Sequence, residues 1–221
     1  MPVAGCGSVR GEMPRLWRAT WVLALAFGSS VRAETGRPPS VPAEGESARF
    51  ARGAREWSLS FAQGSGLGIW GSHGRDTEDV ELAGLVPRFG VGLSDPIGED
   101  AWYHGNFELL VEGALLVAYA PKGGFLGGAG LALRYNWLAW DRVVPFVELG
   151  GGLAGLELDL EDQSDGFSFT AHGGVGLHAW LSERLAVTAS WRLHHLSNAG
   201  IGGENVGIND SMFLVGLSYF P

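Results

Sequence analysis

From Trp57 onward, apolar and polar residues alternate in short segments separated by turn residues. Trp57, Leu59 and Phe61 alternate with Ser58, Ser60 and Ala62. A second segment covers 80–93, its faces blurred by Glu81 and Pro87. In the third, Phe107, Leu109, Val111, Leu115, Val117 and Tyr119 oppose Glu108, Glu112 and Ala114. Next, Leu131, Leu133, Tyr135 and Trp137 oppose Ala132, Arg134 and Asn136. A fifth segment, 143–158, carries Phe146, Glu148 and a glycine run at 150–152. A sixth, 167–180, sets Phe169, Val175 and Leu177 against Thr170, His172 and His178. In the seventh, Leu185, Val187, Ala189, Trp191 and Leu193 oppose Ala186, Thr188, Ser190, Arg192 and His194. The eighth runs over 210–220 with Phe213, Val215, Leu217 and Tyr219 on one face. A period of two is that of a strand whose faces meet different surroundings, and no helical period intervenes.

Eight strands suit two architectures: a soluble sandwich or lipocalin-like barrel, and an all-β, eight-stranded antiparallel up-and-down transmembrane β-barrel. The polar face favours the second. Glu108, Glu112, Arg134, Glu148, Arg192, His172, His178 and His194 carry both signs of charge on different strands. In a narrow closed barrel these fill the lumen as a network, while Leu, Val, Phe and Trp face lipid. Trp57, Tyr119, Trp137 and Tyr219 fall at strand ends, where interfacial aromatic girdles sit. The chain closes on Leu217-Ser218-Tyr219-Phe220-Pro221, close to the aromatic-terminated final strand of bacterial outer-membrane barrels.

The segment before the strands fits this destination. Arg15 and Arg18 precede an apolar run over 19–27 and the small-x-small sequence Val31-Arg32-Ala33, the pattern of a signal peptide over 1–33 cleaved after Ala33. A start at Met13 would put that signal in a more usual register. Residues 34–53, rich in Pro, Ser, Glu and Arg, read as a flexible periplasmic lead-in to a barrel over 54–221. A net charge of −9 offers nothing to nucleic acid. The single cysteine, Cys6, excludes a disulfide framework and a cysteine metal site. The scattered histidines predict no metal site, and the glycine clusters precede no helix that could cradle a phosphate. No cofactor is implied. Glu161, Asp162 and Asp165 read as a solvated acidic loop.

The candidate chemistry lies where the seventh segment ends, at His195-Leu196-Ser197-Asn198-Ala199-Gly200. By parity, His195 and Ser197 continue the apolar face of Trp191 and Leu193, so a base and a nucleophile point toward lipid. With both termini periplasmic, they sit at the outer end of the strand, beside the lipopolysaccharide leaflet. On the eighth strand Asn209 and Ser211 share this parity, whereas Asp210 faces the lumen. Glu204 is available from the loop.

This motif, followed by Glu204-Asn205-Val206-Gly207-Ile208-Asn209, resembles the lipid A 3-O-deacylase family of outer-membrane enzymes (PagL-type). The close match covers about fifteen residues, and elsewhere the agreement is of strand number and order. The resemblance implies an eight-stranded barrel with a lipid-facing site. It further implies Ser197 as nucleophile, His195 as base, oxyanion stabilisation by backbone amides near Asn198 and Gly200, and hydrolysis of the 3-position 3-hydroxyacyl ester of lipid A. The family's acidic third member falls at Asn209. An amide oxygen can orient a histidine but lacks the charge to stabilise its cation. Asp210 could serve instead only if a bulge turned the strand by one residue. The alternative is a structural or lipid-binding barrel with impaired catalysis. A homodimer is compatible with the sequence.

Overall fold

A computed structural model describes residues 48–138, 140, 142–201 and 203–221. The signal-peptide reading of 1–33 and most of the lead-in lie outside the described residues.

Eight antiparallel strands close into one barrel in sequence order, each hydrogen-bonded to the next and the last to the first. They are β1 (Arg55–Gly66), β2 (Glu81–Gly92), β3 (Gly105–Ala120), β4 (Gly124–Trp137), β5 (Val143–Glu157), β6 (Gly166–Trp180), β7 (Leu185–Ser197) and β8 (Ile208–Tyr219). Closure leaves no sheet edge, so every strand finds partners on both sides. It is completed by β1 against β8, from Trp57 opposite Tyr219 to Gly66 opposite Asp210. The strands connect by loops alternating between two ends. Both chain ends of the barrel lie at one, here the terminal end. The β1–β2, β3–β4, β5–β6 and β7–β8 loops lie at the other, here the site end.

Polarity runs inside out. Leu59, Phe61, Leu115, Leu131, Leu149 and Val215 are each more than 50% exposed on the outer face. Arg134, with no exposed surface, and Glu148, at 4%, lie inside. In a soluble protein this exterior would be a patch far beyond the few hundred Å² that water tolerates; in a bilayer it is the required surface. An arginine replacing Leu131, near the middle of the outer band, is therefore expected to destabilise the barrel by about 2–4 kcal/mol. Urea unfolding in lipid vesicles measures this.

The lumen has three layers. A middle belt joins Arg88 to Glu112 (2.6 Å) and Glu148 (3.1 Å), Arg134 to Glu56 (2.8 Å) and Glu148 (3.2 Å), and Arg192 to Glu112 (2.7 Å). His178 belongs to it, its Nδ1 lying 2.8 Å from the Thr188 hydroxyl. Toward the site end an apolar layer of Leu82, Leu116, Leu126, Leu156, Leu196 and Ile208 fills the barrel. At the terminal end Phe50, Phe220 and Trp180 close it, with Phe50 only 2% exposed. The inward leucine and aromatic layers lie beyond the charged network that the alternation predicts for the lumen. Packed leucines and aromatic rings, rather than charge, fill the lumen toward both ends.

Two sequence irregularities have local causes. Pro87 offers no N–H, and the β2–β3 ladder runs from Leu85–Leu115 to Arg88–Glu112 without pairing Val86 or Pro87. Gly176 makes room for the Phe146 ring, since a Cβ there would lie 2.3 Å from its Cζ.

Candidate active site

The β7–β8 ladder runs from Leu185–Tyr219 to Leu196–Ile208 without a register shift. Each residue therefore keeps the face that alternation assigns it. His194 and Asp210 pair inward, Nδ1 to Oδ2 at 2.9 Å. His195 and Asn209, the next pair, meet on the outer side with Nδ1 2.7 Å from Oδ1. No bulge rotates Asp210 toward His195, so the carboxylate serves the lumenal histidine and the amide serves the outer one. Trp191, 37% exposed, shares the outer face, as the lipid-facing reading requires.

Asn209 has no exposed surface, and its orientation is forced. Its Nδ2 lies 2.9 Å from the Ile69 carbonyl and 3.2 Å from the Ser72 hydroxyl. A carbonyl oxygen only accepts, so the NH₂ group must face Ile69 and Oδ1 must face the histidine. His195 Nδ1 must then be the donor. The Nε2 lone pair is left free, which is the tautomer a general base needs.

Ser197 follows two residues later on the same face, opposite Phe169 of β6. Its hydroxyl donates to Asn205 Oδ1 at 3.1 Å and accepts from the Ala199 amide at 3.1 Å. In this resting arrangement the serine proton is directed at Asn205 and not at His195. The chain reverses directly afterwards, with Ala199 at φ +53° and Gly200 at φ +76°. The first of these is an uncommon conformation for a residue with a Cβ.

The two amides expected to stabilise an oxyanion are both engaged. The Asn198 amide donates to Asn205 Oδ1 at 2.9 Å, and the Gly200 amide to Asn198 Oδ1 at 2.8 Å. Asn205 Oδ1 thus collects the Ser197 hydroxyl and the Asn198 amide on one atom. Glu204 is exposed and takes part through its backbone, its carbonyl accepting from Asn198 Nδ2 at 3.2 Å. Ser211 accepts from Trp191 Nε1 at 2.8 Å and serves the tryptophan instead of His195.

Neighbouring loops brace the turn. Gln163 bridges to Asn205 and its Oε1 accepts from the Gly207 amide at 3.0 Å. The acidic loop is more structured than its composition predicts. Asp162 pairs with Arg75 at 2.9 Å, and Asp165 accepts from the Leu158 amide at 2.7 Å. These carboxylates hold the β1–β2 and β5–β6 loops around the site. Among the described residues no group of three or more His, Cys, Asp or Glu could hold a metal ion.

Asn205, Ser72, the Ile69 carbonyl and Trp70 were not singled out by sequence. Asn205 lies inside the matched stretch, and its spacing from Ser197 was the available signal. Ser72 lies 137 residues from Asn209 and reaches it only because β1 closes on β8. Trp70, 69% exposed, stands edge-on to the His195 ring with centroids 5.9 Å apart.

The chain is similar to the crystal structure of the outer membrane enzyme PagL at 19% identity, with a TM-score of 0.53 over 72% of this chain and 97% of that one. It is also similar to Ail, the attachment invasion locus protein of Yersinia pestis, at 11% identity, with a TM-score of 0.48 over 77% of this chain and 99% of that one. No curated protein matches it. The family model described as lipid A 3-O-deacylase (PagL) matches residues 50–218, from the residue plugging the terminal end to the penultimate residue of β8. That span takes in all eight strands but for the last residue of β8, and the chain therefore belongs to the lipid A 3-O-deacylase (PagL) family.

Proposed function

We propose that this outer-membrane barrel is a serine esterase that hydrolyses the 3-hydroxyacyl ester at the 3-position of lipid A. Ser197 is the nucleophile, His195 the general base and Asn209 the residue that orients the histidine. The observation that carries this reading is the 2.7 Å bond from His195 Nδ1–H to Asn209 Oδ1, which leaves Nε2 basic on the face that carries Ser197. Nε2 takes the hydroxyl proton as Oγ attacks the ester carbonyl carbon. The tetrahedral intermediate collapses, the sugar oxygen leaves with the proton from His195, and an acyl-enzyme remains. Water, deprotonated by His195, then releases the 3-hydroxy fatty acid.

The oxyanion falls to the amides of Asn198 and Gly200. Asn205 Oδ1 accepts the Asn198 amide and the Ser197 hydroxyl at rest. An incoming carbonyl oxygen that displaces it inherits the amide and turns the serine proton toward His195. The lipid-facing position of the pair suits a substrate whose acyl tails stay in the bilayer. A signal peptide over 1–33 and a lead-in over 34–53 complete the reading. The intact orientation of His195 by an amide favours an active enzyme over an impaired structural barrel.

Mass spectrometry of lipid A from a lipopolysaccharide-producing host, with and without the expressed protein, tests this. The expected product has lost one 3-hydroxyacyl chain. Lipid A of unchanged mass in cells holding the folded barrel overturns the proposal.

A further inference from the structure

The group that orients His195 is itself oriented, by a loop from the far end of the chain. Ser72 is fully buried, and its hydroxyl lies 2.8 Å from both the Leu67 and Ile69 carbonyls. Its proton is thereby committed to backbone oxygens, and its lone pair faces Asn209 Nδ2 at 3.2 Å. The Ile69 carbonyl takes the other amide hydrogen at 2.9 Å. The loop is tied to the same residue through its backbone, since the Leu67 amide donates to the Asn209 carbonyl at 2.7 Å. What Asn209 meets on this side is a socket of acceptors.

We propose that Ser72 and the Ile69 carbonyl form a socket that admits an amide and rejects a carboxylate at position 209, making Ser72 a positioning residue for the His195 tautomer. The proposal deepens the deacylase reading and rests on it for its kinetic arm alone. A carboxylate oxygen in place of Nδ2 would face the Ile69 carbonyl with no hydrogen between them. Three oxygens would compete for the single Ser72 proton, and an unpaired buried acceptor is costly. Asparagine at this position is thus matched to the loop beneath it and is not simply a lost acid. The NH₂ group satisfies the socket, and Oδ1 is left with one task, accepting His195 Nδ1–H.

The test uses the full-length barrel in detergent micelles, with folding checked by heat-dependent gel mobility. Nitrogen-15 shifts of the His195 ring report its tautomer whether or not the protein turns over. The parent is expected to hold the proton on Nδ1. In Ser72→Ala the loop loses the hydroxyl that holds the Leu67 and Ile69 carbonyls in place, so the Nδ1–H population falls and kcat for acyl release drops about tenfold at unchanged KM. Ser72→Thr, which keeps the hydroxyl, restores both. Asn209→Asp, of equal size, still offers His195 an acceptor but sets a carboxylate oxygen against the Ile69 carbonyl, so the side chain turns out of the socket and kcat falls about 100-fold. An Asn209→Asp variant as active as its parent overturns the socket, as does a Ser72→Ala variant with unchanged tautomer and kcat. A parent that releases no acyl chain, yet shows these tautomer shifts, upholds the socket and removes the deacylase reading instead.

Discussion

Replacing Ser197 by alanine abolishes acyl release, lowering the rate by at least about 10⁴-fold, while the barrel still folds and inserts. The size of the effect follows from the lack of a substitute. The other hydroxyl of matching direction on the facing strand, Ser211, is bonded to Trp191 Nε1 and pairs across from Leu193. It is two residue pairs closer to the terminal end than Asn209, away from the space above His195. The structural cost is small, because the Ser197 hydroxyl makes two neutral hydrogen bonds at the barrel rim, to Asn205 and Ala199. Their loss is worth about 1–3 kcal/mol, too little to unfold a closed barrel. Lipid A mass spectra and heat-dependent gel mobility of the same preparations separate chemistry from folding. Full release by a folded Ser197→Ala barrel would remove Ser197 from the mechanism.

Arg134→Met is expected to destabilise the barrel by about 3–5 kcal/mol. Arg134 is fully buried, reaches Glu56, Glu108 and Glu148, and lies 4.2 Å above the Phe146 ring. Three arginines, Arg88, Arg134 and Arg192, serve four glutamates, Glu56, Glu108, Glu112 and Glu148, within the belt. Removing the central one leaves Glu56 and Glu108 buried without a cation. The contrast is Arg75→Ala. Its bond to Asp162 is as short, 2.9 Å, but the arginine side chain is 54% exposed. Solvent screens such a pair, and its loss costs about 0–1 kcal/mol. Unfolding both variants in urea, in the same lipid, measures the difference. A lumenal variant no less stable than the surface one would mean that the belt is filled with water, and not by the ion pairs.

Much of this was legible because alternation in a barrel carries directional information. Trp191, Leu193, His195 and Ser197 share a parity, and with no register shift in β7–β8 the parity carries through to three dimensions. Asn209 opposite His195, and Asp210 turned inward to His194, follow from the same counting. The apolar filling of the lumen was less legible. Leu82, Leu126 and Leu196 face inward, where composition alone cannot tell a lipid-facing leucine from a lumen-filling one. The acidic loop was misjudged for a related reason. Asp162 and Asp165 look solvated in sequence, yet Asp162 pairs with Arg75 of the β1–β2 loop and Asp165 accepts from the Leu158 amide within its own loop.

Sequence by itself determined the strand count, the outward direction of the serine–histidine pair and the family, because side-chain direction in a strand has a period of two and needs no distant information. Only the tertiary structure decided how that pair is held. Closure of β1 against β8 brings Ile69 and Ser72 under Asn209 from 140 and 137 residues away in the chain. The direction of an amide depends on which acceptors surround it, and no local pattern records a contact made by closing the ring.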